Sequence, residues 1–391
     1  MPKSNTYKAG RHFLQVPGPT NIPDRILRAM DYPAMDHRGP KFAILSKSLL
    51  ERLKQIFKST DPVVIYPSAG TGAMEASLVN TLNDGDKILM YETGEFARQW
   101  CAAAERFKIN VDFIPGDWRT GADPEITRQK LLADKKHEIK GVLVTHNETS
   151  TGIKSRVEEI RKAIDDTNHP ALFMVDTISS LGSYNYEHQK WKVDVTVGGS
   201  QKGLMLPPGL SFNVISNKAL EAYKSSKLTK SYFDWGPMLE NNKNGLYPYT
   251  PAVKFLYGVN EAINMLMEEG LENVFARHKR HADATRLAVE AWGLEILAKN
   301  PVERSDSITA IMVPNGHDSD NPRKIIYDNY DMSLGTGLNK VKGKVFRIGH
   351  LGDFNDLMLA GTLAGVEMGL KQSGIPFKPG SIMAALNFLS K

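Results

Sequence analysis

The sequence predicts an α/β fold with a mostly parallel, covered sheet. Short apolar runs at 63–66, 87–91 and 141–144 alternate with helix-like stretches between residues 60 and 215. Such runs are typical of strands buried on both faces, and the alternation is typical of strand–helix–strand units. The 391 residues exceed what one hydrophobic core usually contains, so we expect two domains.

The predicted domain boundaries follow changes of pattern along the chain. Residues 1–20 predict an extended N-terminal arm, because Pro17-Gly18-Pro19 disfavours regular structure. We predict that residues 21–255 form the large α/β domain. Residues 256–391, where a long helical pattern precedes separate strands and a further helix, predict a smaller α+β domain.

The composition is that of an ordinary globular protein, with 41% hydrophobic and 24% charged residues. The net charge of +5 comes without a basic block, so we predict no nucleic-acid partner. The single cysteine, Cys101, excludes a disulfide framework and a cysteine-rich metal site. No signal-peptide pattern or membrane-length apolar run occurs, so we predict a cytoplasmic protein that uses neither membrane nor metal.

Lys202 is the most informative residue. It follows the apolar run 193–197, and Asp176 closes another such run, 171–175. In open α/β sheets, ligands bind beyond the carboxyl ends of the strands. Pyridoxal phosphate needs a lysine for its Schiff base and an aspartate for its pyridinium nitrogen. Taken alone, each residue has a simpler explanation: a solvated loop lysine and a helix N-cap.

Two further polar groups follow predicted strands. Residues 68–72 (Ser-Ala-Gly-Thr-Gly) lie between strand 63–66 and a helix expected from about residue 73. Glycines and a helix N-terminus suit a phosphate, although a structural turn is equally compatible. The segment 146–152 can hold a ring oxygen of the cofactor or form a capping turn. In chain order, the four groups match the parts of a pyridoxal phosphate site.

The motifs that carry a family resemblance extend over nearly the whole chain. They are 16–23, Asp36-His37-Arg38, 68–72, 146–149, 176–180, 199–203, 247–251 and 346–350. In these motifs the chain resembles a class V, fold-type I aminotransferase of the glyoxylate-using group. The resemblance implies a mostly parallel seven-stranded sheet in the large domain and a smaller C-terminal α+β domain.

The resemblance also implies residue roles. Lys202 would form the Schiff base and move the substrate α-proton, and Asp176 would pair with the pyridinium nitrogen. Arg347 would bind the substrate α-carboxylate, for which a guanidinium is suited. The remaining cofactor contacts would come from Gly70, Thr71, Gly72, Phe96, Thr149, Gln201, Tyr247 and Thr250. Gly18 and Thr20 would line the substrate entrance.

Some of these roles are more specific. Phe96 stands where alanine-using relatives stack a tryptophan on the cofactor ring. Thr149 stands where they have a serine facing the ring oxygen. Tyr247 and Thr250 match a segment that reaches the cofactor phosphate of the neighbouring subunit, so the resemblance implies a homodimer.

The implied reaction is a ping-pong transamination from L-serine to glyoxylate. Aspartate or alanine as donor stays open, because each presents the same α-amino acid group to Arg347. Aspartate would need a second cation, for which Arg38 or Arg98 is a candidate. A nicotinamide-dependent oxidoreductase is disfavoured, because residues 70–72 lack the third glycine of the dinucleotide fingerprint. The roles of His37 and His350 stay open.

Overall fold

The computed structural model describes residues 9–391, which form two large β-sheets and a two-stranded hairpin. The strands are β1 Phe13–Gln15, β2 Val63–Tyr66, β3 Lys87–Tyr91, β4 Asn110–Ile114, β5 Ile139–Thr145, β6 Asn147–Glu148, β7 Ile153–Lys154, β8 Leu172–Asp176, β9 Val195–Gly199, β10 Ser211–Ile215, β11 Glu295–Ile296, β12 Ile308–Met312, β13 Met332–Thr336 and β14 Val345–Gly349. The helices are α1 Asp24–Met30, α2 Pro40–Phe57, α3 Gly70–Val79, α4 Glu95–Arg106, α5 Pro124–Ala133, α6 Val157–Asp165, α7 Asn217–Ser225, α8 Trp235–Asn242, α9 Val253–Glu269, α10 Leu271–Trp292, α11 Asp320–Tyr330, α12 Asp356–Ser373 and α13 Met383–Leu389.

The larger sheet has seven strands in the order β2-β10-β9-β8-β5-β3-β4. The five strands from β9 to β4 run parallel to one another. Strand β10 is antiparallel to both β9 and β2. The predicted mostly parallel, seven-stranded sheet is confirmed.

Helices cover both faces of this sheet. One apolar cluster contains residues of α2 and α9, and the other contains residues of α3, α4 and α8. In β2, Ile65 belongs to the first cluster and Val64 to the second, because successive side chains of a strand point to opposite faces. Where both faces of a strand are buried, as in β2, its residues are continuously apolar, which is the pattern that the sequence shows.

The smaller sheet combines both ends of the chain. Its order is β1-β13-β14-β12-β11. Strand β1 pairs in parallel with β13, with Phe13 opposite Met332. The segment predicted as an extended arm therefore contains an edge strand, and Pro17 lies just beyond it. The domain division at residues 20 and 255 stays a prediction.

The long helical pattern after residue 255 is divided at Gly270. Helix α9 ends at Glu269 and α10 begins at Leu271. Gly270 has φ 83°, a left-handed conformation that glycine adopts without the steric cost of a Cβ atom. The sequence therefore located the helical segment, while the backbone at Gly270 separates it into two helices.

Candidate active site

The carboxyl ends of β8 and β9 bring Asp176 and Lys202 into one buried region. Asp176 pairs with Val197 in the sheet register, and Lys202 follows β9. Their exposed fractions are 3% and 6%. Burial disfavours the charged form of each group, so it raises the pKa of Asp176 to about 7 and lowers the pKa of Lys202 to about 7.

The N-terminal segment lies directly against Lys202. Lys202 Nζ donates to the Pro17 carbonyl at 2.5 Å. The Thr20 hydroxyl donates to the Lys202 carbonyl at 3.3 Å. A Cβ atom on Gly18 would lie 2.3 Å from Lys202 Nζ. The structure thus brings Gly18 and Thr20, both predicted at the substrate entrance, together with the predicted catalytic lysine.

One oxygen of the Asp176 carboxyl is held by the turn that follows β8. Oδ1 accepts a hydrogen bond from the Ile178 N–H at 2.8 Å. Its Oδ2 atom has no hydrogen-bond partner among residues 9–391. A carboxylate oxygen left free in this way can accept a hydrogen bond from a protonated ring nitrogen.

Gly70, Thr71 and Gly72 form the first turn of α3. The helix begins at Gly70, which is earlier than the sequence predicts. The residue before this end, Ala69, makes no side-chain cap, and the Gly72 N–H donates to the Ala69 carbonyl at 2.9 Å. The N–H groups of Gly70 and Thr71 are therefore left for an anion. Close packing requires glycine, since a Cβ atom on Gly70 would lie 2.3 Å from Ile178 Cδ1.

Gln201 lies beside the start of α3. A Cβ atom built on Gly199 would be 3.1 Å from Gln201 Oε1 and 3.6 Å from Gly70 Cα. The Gln201 Oε1 atom is buried and accepts no hydrogen bond from any described residue. Such an unpaired buried atom indicates that a further group belongs in this region.

These features fit pyridoxal phosphate. The uncapped start of α3, with Gln201 beside it, can hold the phosphate. Asp176 can pair with the ring nitrogen, and Lys202 can bond the aldehyde carbon. When bound, this cofactor supplies an electron sink for the charge that develops at the substrate Cα.

Arg347 lies on β14 and is 6% exposed. Its Nε donates to the Thr336 carbonyl at 2.8 Å, and its Nη1 donates to the Thr149 carbonyl at 2.6 Å. The two carbonyls fix the guanidinium plane, while Nη2 makes no hydrogen bond to the described residues. Burial lowers the pKa of Arg347 to about 10, so the group stays cationic at neutral pH and can bind a carboxylate.

Thr149 makes hydrogen bonds to both Ser179 and Arg347. Its hydroxyl donates to Ser179 Oγ at 2.8 Å, and the Ser179 hydroxyl donates to the Asn147 carbonyl at 2.8 Å. Through its own carbonyl, Thr149 holds Arg347. Its predicted contact with the ring oxygen stays a prediction.

The other predicted contacts lie on separate elements. Phe96 is in the first turn of α4 and is half-buried. Tyr247 and Thr250 line a small apolar pocket with Leu210, and Thr250 is exposed. These two residues were predicted to contact the cofactor phosphate of a neighbouring subunit. That contact involves a second chain and stays a prediction.

Glu148 is a buried charged residue to which the sequence analysis assigned no role. It is 0% exposed, and its charge raises the pKa of both Lys202 and Arg347. The one sequence feature that pointed to a role for Glu148 was its position between the motif residues His146 and Thr149. A glutamate in a predicted turn is usually solvated, and the sequence carries no sign of its burial.

Comparisons with known proteins agree with this geometry. The profile of the aminotransferase class-V family matches residues 12–339. The serine–glyoxylate aminotransferase of Methylorubrum extorquens is 48% identical over 386 residues, which cover 97% of this chain and 96% of that protein. The L-aspartate–glyoxylate aminotransferase of Paracoccus denitrificans is 44% identical over 371 residues, covering 95% and 94%.

The fold agrees with a solved structure as well. Ureidoglycine–glyoxylate aminotransferase from Bacillus subtilis superposes with a TM-score of 0.91 at 25% identity, covering 99% of this chain and 100% of that chain. The seven-stranded sheet, the buried lysine and aspartate and the family match lead to one assignment. The chain belongs to the aminotransferase class-V family, whose members are pyridoxal phosphate enzymes.

Proposed function

We propose that this aminotransferase transfers the amino group of L-serine to glyoxylate, giving hydroxypyruvate and glycine. The proposal rests on the charged side chains around Lys202. The charged groups that shift the Lys202 pKa are Arg347, Asp176 and Glu148, and Arg347 is the one cation among them. One cation suits one carboxylate, and serine has no second. The 48% identity to a serine–glyoxylate aminotransferase supports the same donor.

The two arginines considered for an aspartate side chain do not supply this second cation. Arg98 Nη1 pairs with Glu92 Oε1 at 3.2 Å. Arg38 is exposed, where water screens its charge. Neither arginine is therefore placed, within one chain, to pair with an aspartate side chain, and an unpaired carboxylate in a buried site is costly.

The buried residues divide the chemistry between them. Arg347 can bind the α-carboxylate through two hydrogen bonds and so orient the Cα–H bond. Lys202 has its pKa lowered to about 7 by burial and by Arg347. Near neutral pH its Nζ can take the Cα proton as a base and return it as an acid. In the second half of the reaction, Arg347 holds glyoxylate in the same way.

We further propose a cytoplasmic homodimer in which Tyr247 and Thr250 reach the partner's site. Tyr232 is 40% exposed, and its ring stacks on that of Tyr249 at 4.7 Å between centroids. Exposed aromatic surface of this kind is typical of an interface. The one cysteine, Cys101, is buried, which fits a reducing compartment. None of the helices in residues 9–391 has the length and apolar character needed to cross a membrane.

A donor panel with glyoxylate tests the proposed reaction. We expect kcat/KM for serine to exceed that for aspartate by at least about tenfold, equal to ~1.4 kcal/mol. A larger kcat/KM with aspartate than with serine would contradict the serine assignment. The Lys202→Ala variant should lose turnover with every donor, and retained turnover would contradict the role of Lys202.

A further inference from the structure

The buried carboxylate of Glu148 caps helix α4. Its Oε1 accepts the Phe96 N–H at 3.3 Å, and its Oε2 accepts the Ala97 N–H at 3.0 Å. The residue that precedes this helix, Gly94, has no side chain to cap it. A carboxylate here satisfies N–H groups that have no partner within the helix and interacts favourably with its dipole.

Ser150 completes this cap. Its N–H and Oγ both donate to Glu148 Oε1, at 3.0 and 2.7 Å. Its Oγ also accepts the Glu95 N–H at 2.9 Å. The first N–H groups of α4 therefore all end on the segment 148–150.

Gly94 makes room for this contact. A Cβ atom on Gly94 would lie 2.3 Å from Glu148 Cγ and 2.4 Å from Ser150 Oγ. The local backbone is extended, with φ 167°, so the glycine is needed for space. The Glu148 side chain thus packs directly on the backbone that leads into α4.

This cap differs from an ordinary helix cap. Helix α5 is capped by the residue just before it, since the Asp123 side chain accepts the Glu125 N–H at 2.8 Å. The cap of α4 instead comes from β6, 52 residues away from Phe96 in the chain. Burying a carboxylate is costly and raises the pKa of Glu148, and the four donors around it offset part of that cost. A remote buried cap links two parts of the site.

The second part is Arg347, which we propose to bind the substrate carboxylate. Thr149 lies between the two capping residues, and its carbonyl accepts from Arg347 Nη1 at 2.6 Å. Any displacement of the segment 148–150 therefore moves the start of α4, where Phe96 lies, and the carbonyl that orients Arg347.

We propose that Glu148 is a positioning residue that holds Phe96 and Arg347 in a fixed relation to each other. Its carboxylate fixes the start of α4, and the same turn fixes the guanidinium plane. The inference rests on the proposed roles of Phe96 and Arg347 and is independent of which amino donor is used.

The Glu148→Gln variant tests this role. Glutamine keeps the size but replaces one acceptor oxygen by an NH2 group, which cannot accept an N–H. From the full-length holoenzyme, we expect pyridoxal phosphate release to accelerate at least about tenfold, the factor that corresponds to losing one hydrogen bond to a charged group. Visible absorbance and tryptophan fluorescence report the release. The KM for the best amino donor and for glyoxylate should also rise, and kcat should change less.

Asp123→Ala is the matched control. It removes the cap of α5, so it should lower Tm while leaving cofactor release and both KM values unchanged. If Glu148→Gln lowers only Tm in the same way, the proposal is overturned. Cofactor release is measured without any donor, so a wrong donor assignment does not affect this result.

A milder variant keeps the test decisive if Glu148→Gln does not fold. Ser150→Ala removes only the hydroxyl that joins the Glu95 N–H to Glu148. Faster cofactor release and higher KM values in this variant, each by about threefold as expected for one lost hydrogen bond, would support the proposal. Unchanged release and KM values would overturn it.

Discussion

At Gly18, the absence of a side chain determines how closely the N-terminal segment approaches Lys202. The residue has φ 120°, and a Cβ atom there would lie 2.3 Å from Lys202 Nζ and 2.5 Å from Lys202 Cδ. The motif around Gly18 predicted a place at the substrate entrance. Its contact with the lysine side chain depends on a chain path that the motif does not encode.

Gly18→Ala should therefore impair the site specifically. The added methyl group displaces the Lys202 amine, and misplacement of about 1 Å costs about 100-fold in rate. We expect kcat/KM to fall by at least this factor, as measured by steady-state kinetics.

Gly10→Ala is the matched control for Gly18→Ala. Gly10 also has a left-handed φ, 96°, but a Cβ atom there meets nothing within 4 Å. Both variants carry a backbone cost of about 1–2 kcal/mol, and only one meets Lys202. Equal losses of kcat/KM in the two variants would show that the close contact with Lys202 is unimportant.

Among the elements, β8 and β9 carry the site, and Asp194 joins them at their opposite ends. Asp194 is 5% exposed. Its Oδ2 accepts the Phe173 N–H at 2.8 Å, and its Oδ1 accepts from the Ser216 hydroxyl at 2.9 Å. These bonds help to set the register in which Met174 pairs with Val195.

Asp194→Ala should destabilise the fold without changing the chemistry. The loss of buried hydrogen bonds to a charged group costs about 1.5–3 kcal/mol. Asp194→Asn should cost less than about 1 kcal/mol, because its amide can still pair with both Phe173 and Ser216. Urea unfolding measures the free energies. Similar losses in both variants would contradict a hydrogen-bonding role, and a large fall in kcat of the folded enzyme would contradict a purely structural one.

The observed strands and helices also show where sequence patterns are sufficient to locate secondary structure. The run 63–66 coincides with β2, because continuous apolar residues strongly indicate a buried strand. The start of α3 at Gly70 was missed, because glycine and threonine are weak helix formers. The sequence pattern indicates an interruption of the long helix near Ala276, whereas the structure divides it at Gly270, because the apolar periodicity continues across that glycine. Helix ends depend on local hydrogen bonds more than on periodicity.

For the whole molecule, three buried histidines link stability to pH. Burial lowers the pKa of His146 and of His278 to about 3, and that of His350 well below its ordinary value. In the unfolded chain a histidine titrates near about 6.5. Below that pH the unfolded chain binds protons that the folded protein does not. The stability that these neutral histidines contribute is therefore complete above about pH 6.5, and it is lost as the pH falls below that value. Asp176, with its pKa raised to about 7, and Glu148, whose pKa burial also raises, act in the opposite direction, as two groups against three.

The free energy of unfolding should therefore decrease between about pH 6.5 and 5. His278→Gln should reduce this slope by up to about 1.4 kcal/mol per pH unit, the contribution of one proton. Urea unfolding at several pH values measures it. His317→Gln, at an exposed position, is the control and should leave the slope unchanged. An unaltered slope in His278→Gln would show that His278 is not held neutral by burial.

The sequence by itself determined the α/β class, the parallel sheet and the family, and it predicted the residues that we propose to carry the chemistry. These depend on local features: the apolar runs of strands, glycines at a helix start, and motifs of a few residues. Only the tertiary structure decided that β1 joins the C-terminal sheet, that Pro17 contacts Lys202 and that Glu148 caps α4. Those contacts join residues far apart in the chain, and the pKa shifts of Lys202 and Asp176 arise from burial, which no local pattern specifies.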